Sequence, residues 1–134
     1  MNKIKRAIIS VWDKTGVVDL AKFLVANEIE IISTGGTKKT LEEAGIPVLS
    51  VSTLTNQQEI MDGRVKTIHP NLFGGILADR SNKNHMNDLN LINSKLIDLV
   101  VINLYPFIKE AVEKKLKLEK SIEFIDIGGP SMLR

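Results

Sequence analysis

Lys14, Arg64, Lys66 and a paired-glycine turn are the parts of this chain whose types and spacing suit chemistry on an anion. Ile31-Ile32-Ser33-Thr34-Gly35-Gly36-Thr37 leads from an apolar run into adjacent glycines, and Lys38 to Ala44 reads as the helix that follows. Two glycines together admit positive φ and let a ligand come close to the backbone. The first amides of a helix lack internal partners and carry partial positive charge. Ser33, Thr34 and Thr37 add hydroxyl donors, so the loop suits a phosphate. The same residues read equally as an ordinary turn in which Thr37 is the helix N-cap. Charge-assisted hydrogen bonds from Lys14, Arg64 and Lys66 would each contribute about 1.5–3 kcal/mol. A lone Lys or Arg is ordinarily a solvated surface charge. The cluster Gly63-Arg64-Val65-Lys66-Thr67 differs, because it sits in a long loop with no packing role visible.

Other chemistries find less material. His69, before Pro70, is a candidate base or ligand, whereas His85 reads as surface. No acidic residue stands at metal-ligand spacing from either, so no metal site is expected. Nucleophile-elbow, Walker and dinucleotide fingerprints are missing, and Gly35-Gly36 is not G-x-G-x-x-G, so a nicotinamide cofactor has no support. Lys109, Lys114, Lys115, Lys117 and Lys120 alternate with Glu110, Glu113 and Glu119, as on wet helix faces.

The elements that must position these groups follow from periodicity. Ala7 to Val11 and Ile29 to Ser33 read as strands, with a helix from Val17 to Glu28 between them. Gly45 and Pro47 end the second helix, and Val48 to Val51 forms a short third strand. Ser52 to Pro70 reads as a long loop, Leu72 to Leu77 as a strand, and Asp79 to Ser94 as a loop into a surface helix. Gly74-Gly75 either interrupts that strand or lets another backbone approach. Leu99 to Ile102 is the clearest candidate for a central strand. Phe107 to Lys117 and Ser121 to Ile125 read as helices, and Asp126 to Pro130 as a second glycine turn. This alternation predicts a three-layer α/β fold around a parallel sheet. Ligands of such sheets sit outside the carboxyl ends of the strands. That rule gathers Asp13, Lys14, Ser33 to Thr37, Asn103 and Tyr105 at one edge.

With 134 residues, one domain with a real core is expected. A net charge of +2 and 4% aromatic residues argue against nucleic acid. The absence of cysteine excludes disulfides and thiolate metal sites. The N-terminus Met1-Asn2-Lys3-Ile4-Lys5-Arg6 is basic, but no cleavage-type region follows, and no apolar run approaches the roughly 20 residues that span a bilayer. The expectation is a cytoplasmic globular domain with no membrane partner.

Five segments, taken in order, resemble a known family. They are Ser10-Val11-x-Asp13-Lys14-Thr15-Gly16, Ser33-Thr34-Gly35-Gly36-Thr37, Asp62-Gly63-Arg64-Val65-Lys66-Thr67-x-His69-Pro70, Asn103-Leu104-Tyr105-Pro106-Phe107 and Ile125-Asp126-Ile127-Gly128-Gly129-Pro130. Across essentially the whole chain, the match is to the N-terminal inosine monophosphate cyclohydrolase domain of bifunctional purine biosynthesis proteins. The resemblance implies a methylglyoxal-synthase-like fold. It also implies closure of 5-formamidoimidazole-4-carboxamide ribotide to inosine monophosphate with loss of water, needing no metal or organic cofactor. By similarity, Lys14 and Thr34, Gly35, Gly36 and Thr37 grip the phosphate. Arg64, Lys66, Thr67 and Asn103 line the ribose and base. Lys66 and Tyr105 polarise the formyl oxygen, and Asp126 accepts a proton from the carboxamide. The same motifs add Trp12, Asp13, Val65, Leu104, Ile127, Gly128 and Gly129 to the expected substrate-binding set. A homodimer and, in the full-length chain, a transformylase domain are also implied.

Departures from the family pattern stand at Trp12, where a serine is common, at Gln57-Gln58 in place of Phe-Pro, and at Phe73 in place of a histidine. The first bears on phosphate binding and the others on packing. The family places a catalytic lysine a few residues past the position of Arg134, so the chain is expected to be a domain cut short. Two alternatives share the fold: a regulatory nucleotide-binding module that binds without turnover, and a methylglyoxal synthase, disfavoured by the lack of a Gly-Pro-Leu-Gly-Gly-Asp-type segment.

Overall fold

Strand β1 (Arg6–Val11) is buried at five of its six positions, and the rest of the molecule is laid on both its faces. A computed structural model describes residues 3–133; the basic start at Met1 and Asn2 and the terminal Arg134 lie outside them. Strands β2 (Glu30–Ser33), β3 (Leu49–Ser50) and β4 (Leu99–Asn103) complete a four-stranded sheet in the order β3-β2-β1-β4. Every pairing is parallel: Ala7 stands opposite both Ile31 and Leu99, and Ile32 opposite Leu49.

Period-two alternation sorts the strand residues into two apolar layers. Ala7, Ile9 and Ile31 pack with Val17, Ala21 and Leu24 of α1 (Val17–Ala26) and Leu41 of α2 (Gly35–Glu43). Ile8 and Ile32 face the other way, onto Val51 of α3 (Val51–Thr55), Leu72 of α4 (Pro70–Leu77) and Met132 of α7 (Gly128–Leu133). Helices on both faces make the expected three layers. The strands read as continuous apolar runs because neither face meets water. Between α4 and β4 lies α5 (Lys83–Leu91); after β4 come a π-helical turn (Ile108–Glu113) and α6 (Leu118–Ile122).

Several expected elements differ. Leu72 to Leu77 is not a strand but the body of α4. His69 is its N-cap, Nδ1 accepting from the Asn71 amide at 3.1 Å, and Pro70 opens the helix. One of the two imidazole nitrogens is therefore engaged in the cap. A Cβ on Gly75 would stand 2.5 Å from the Lys95 carbonyl, so the glycine pair admits a neighbouring backbone rather than interrupting a strand. β4 is not central but outermost. Its apolar run is continuous because Leu99 and Val101 join one layer while Val100 and Ile102 join the other, and that holds at an edge as well as in the middle. The third strand is shorter than expected, since Val51 begins α3, which runs on through Thr55 into the expected long loop. The segment Phe107 to Lys117 winds as a π-turn with only Ala111 buried, and α6 starts three residues before Ser121. Among the described residues no helix is long and apolar enough to cross a membrane.

Candidate functional site

The chain winds through β1, β2 and β3 in one direction and then returns to place β4 on the other side of β1. Loops leaving β1 and β4 diverge there, which is where open parallel sheets form their ligand crevice. Asn103, the last residue of β4, ties the two loops together. Its Oδ1 accepts from the amides of Trp12 (2.6 Å) and Asp13 (2.9 Å), and its Nδ2 donates to the Asp13 carbonyl at 2.8 Å. Asp13 in turn accepts from the Thr15 amide at 2.9 Å. That bond and the Thr15 hydroxyl, against slight desolvation and with help from Lys14, hold its carboxyl below the ordinary range. The turn carrying Lys14 is thus fixed by side chains at both ends.

Above this turn opens a cleft of about 720 Å³, lined by residues from five separated stretches. Gly35, the first residue of α2, has φ +55°, a conformation that favours glycine. Lys66 Nζ lies 3.1 Å from where a Cβ on Gly35 would stand, and Lys14 Nζ lies 3.7 Å from the same point on Gly36. Two ammonium groups therefore converge over the amides that open α2, making a cationic, amide-lined seat for an oxyanion. Lys14 also donates to the carbonyls of Val11 (3.3 Å) and Trp12 (3.2 Å), which aims it along the cleft floor.

Two of the three hydroxyls expected to face the ligand do not. Ser33 is fully buried and donates to the Ile9 carbonyl at 2.6 Å. Thr37 is buried as well: its Oγ1 accepts from the Val11 amide and donates to the Val11 carbonyl, each at 3.0 Å. Thr37 is accordingly not the N-cap of α2; that position is Thr34, whose side chain makes no capping bond. Of the three, Thr34 alone keeps an uncommitted hydroxyl, while Thr37 ties the glycine turn to β1.

On the opposite wall, Asp62 and Gly63 have φ +55° and +83°, the left-handed pair of a tight hairpin turn, closed by the Ile60–Val65 bridge. The turn delivers Arg64 to the cleft mouth. There its Nη2 donates to Glu123 Oε1 at 2.5 Å, with Asp62 at 3.8 Å. The Glu123 bond, then its charge, raises the guanidinium pKa further, so Arg64 stays cationic at any working pH. A Cβ on Gly128 would lie 2.6 Å from Thr67 Oγ1, and one on Gly129 2.6 Å from Asp126 Oδ2. Asp126 Oδ1 accepts from the Gly129 amide at 3.2 Å, and Tyr105 meets Phe124 edge-to-face at 6.0 Å. The second glycine pair thus lets α7 close down on Thr67 and Asp126.

The cleft brings together Trp12, Lys14, Thr34, Gly35, Gly36, Thr37, Arg64, Lys66, Thr67, Asn103, Tyr105, Asp126, Ile127, Gly128 and Gly129, as expected from the sequence. Asp13, Val65 and Leu104 do not line it. Asp13 caps its own turn, Val65 closes the hairpin, and Leu104 packs beneath Gly129. Glu59 and Glu123 line the cleft without having been expected. Glu123 stands three residues before Asp126, past the end of α6, but outside the recognisable motif, so no local signal marked it. Gln57 and Gln58 do not pack in the interior; they are exposed and line a smaller pocket of about 320 Å³ with Lys38, Ser50 and Ser52. Phe73 packs against the second apolar layer. Among the described residues no group of three metal-ligating side chains gathers anywhere.

Fold and site together define a three-layer parallel α/β domain with a cation-lined cleft at the carboxyl edge of its sheet. A family model for the MGS-like domain matches residues 16–131, and the chain belongs to that family. The chain is 61% identical over 130 residues to the bifunctional purine biosynthesis protein PurH of Fusobacterium nucleatum, covering 97% of itself and 26% of that protein. It is 56% identical over 130 residues to PurH of Clostridium beijerinckii and 59% over 132 residues to PurH of Lactobacillus acidophilus, again covering 26% of each. The chain therefore spans about a quarter of the length of these relatives. The crystal structure of ForH superposes with a TM-score of 0.81 at 30% identity, covering 98% of this chain and 66% of that one.

Proposed function

We propose that this domain is the inosine monophosphate cyclohydrolase of purine biosynthesis, closing the ring of 5-formamidoimidazole-4-carboxamide ribotide with loss of water. One observation carries the reading: Lys14 and Lys66 converge over Gly35-Gly36 in a cleft that Tyr105 and Asp126 also line. In this reading the ribotide phosphate sits on the α2 amides and Lys14, beside Trp12, with Thr34 as hydroxyl donor. Arg64, Thr67 and Asn103 line the ribose and base.

Both reacting groups belong to one molecule, so the site need only hold the formyl carbon against the carboxamide nitrogen. As that C–N bond forms, Asp126 takes a proton from the nitrogen while Lys66 and Tyr105 stabilise the oxyanion left on the formyl oxygen. The oxygen is then protonated and departs as water. Its two hydrogens balance the one lost by the carboxamide nitrogen and the one lost by the formamido nitrogen, leaving the C=N bond of the purine. No metal or organic cofactor enters these steps.

The same reading makes the protein a cytoplasmic homodimer associated with a transformylase domain. The support for the dimer is that Leu104, Ile108, Val112 and Leu118, which follow the edge strand β4 in the chain, are exposed. Sedimentation of the purified chain tests the dimer. To test the activity, the formylated ribotide is supplied and inosine monophosphate followed. Release of product establishes the cyclohydrolase. Binding without release would assign a regulatory module, and failure to bind would overturn the reading.

A further inference from the structure

Among the described residues, Arg64 is the one cleft cation held by a side chain from outside its own loop. Its Nη2 hydrogen-bonds Glu123 Oε1 at 2.5 Å, across a sequence separation of 59 residues, joining the hairpin that carries Arg64 to the residue that ends α6. A guanidinium has five N–H donors in a rigid plane, so one firm bond fixes where the others point. Asp62, the remaining acidic neighbour, stands at 3.8 Å, beyond hydrogen-bond reach. Both partners are more than half exposed, and ion pairs in such settings contribute little to stability. The pair lines the cleft itself, where orientation counts for more than net attraction.

We infer that Glu123 is a positioning residue: its carboxylate holds the Arg64 plane across the cleft mouth and leaves the other N–H groups to face the base and ribose. Glu123 does a second thing by its charge. With Glu59 and Asp62 it makes the Arg64 wall acidic around a single guanidinium, whereas the Gly35-Gly36 wall carries two ammonium groups and helix amides. A phosphorylated ligand is thereby turned with its phosphate toward Lys14 and the α2 amides and its uncharged ring toward Arg64. This rests on the proposed ribotide site and names one further residue of it.

The test is calorimetric titration of inosine monophosphate and, separately, inorganic phosphate into the wild type, Glu123→Ala, Glu123→Gln, Arg64→Ala and the double alanine variant, with thermal melting of each. Glu123→Ala is expected to weaken inosine monophosphate roughly tenfold, the scale of one charged hydrogen bond, while leaving inorganic phosphate unchanged. Glu123→Gln keeps an acceptor oxygen and should recover most of the loss. The double variant should bind no worse than Arg64→Ala, and the melting temperatures should coincide. Wild-type affinity in Glu123→Ala beside a weakened Arg64→Ala overturns the inference, as do additive losses in the double variant. Parallel losses for phosphate, or failure of Glu123→Ala to fold, make the pair structural and overturn it too. If Arg64→Ala itself binds normally, or the wild type binds nothing, the ribotide reading has failed and Glu123 loses its role with it.

Discussion

Lys66 Nζ sits 3.1 Å from the point a Cβ on Gly35 would occupy, although the two residues come from different loops. Gly35 is favoured by its left-handed φ of +55°, and any Cβ there would push on the Lys66 ammonium that covers it. Gly35→Ala should cost about 1 kcal/mol of stability from the backbone alone. It should also displace Lys66 and weaken inosine monophosphate more than the melting shift explains. Calorimetry beside a thermal melt separates the two effects; equal affinity in the variant would show that Lys66 does not act from this position.

Gly75 provides a contrast far from the cleft. A methyl group there would lie 2.5 Å from the Lys95 carbonyl and 3.2 Å from Ile97 Cγ1, while the Ile97 amide donates to the Gly75 carbonyl at 2.9 Å. The obstacle is backbone and cannot swing aside. Gly75→Ala should destabilise by about 1–3 kcal/mol through overpacking, read as a lower denaturation midpoint. Ligand affinity of the folded fraction should be unaltered.

Asn103 was expected to touch the ligand, yet its amide is engaged with the Trp12–Asp13 backbone by three hydrogen bonds. Asn103→Ala should destabilise by about 0.5–1.5 kcal/mol, because the bonds it removes lie at an exposed turn where water replaces them. It should also weaken inorganic phosphate binding by loosening the turn that aims Lys14. Asn103→Asp keeps the acceptor and loses the Nδ2 donor, so it should fall between. If phosphate binding in Asn103→Ala equals wild type, the turn does not depend on this brace.

The opposite end of the sheet predicts an acid limb. Burial pushes the Asp98 carboxyl up, but bonds from the Lys5 and Arg6 amides and from Arg80 outweigh it, and the pKa is lowered. A carboxyl depressed in the folded state adds stability above its unfolded value of about 3.9 and loses it as pH falls through the folded one. Unfolding midpoints measured downward from pH 5 should therefore drop, and Asp98→Asn should flatten that limb. An unchanged slope in the variant would remove Asp98 from the account.

Local sequence settled what local physics controls. Alternating apolar runs between helical periods required parallel strands covered on two faces, and the pairs Gly35-Gly36 and Gly128-Gly129 marked where backbone must come close, since φ and Cβ sterics belong to single residues. Tertiary structure decided which polar groups remain available. Ser33 and Thr37 look like ligand donors until β1 takes their hydroxyls, and Asn103, which lines the cleft, also braces the Trp12 turn with its amide. It also placed β4 at the sheet edge, turned Leu72 to Leu77 into a helix opened by His69-Pro70, and joined Glu123 to Arg64. A hydrogen-bond partner dozens of residues away leaves no trace in local propensity or period. The chain's own chemistry therefore named the cleft's cations, and only folding showed what holds them.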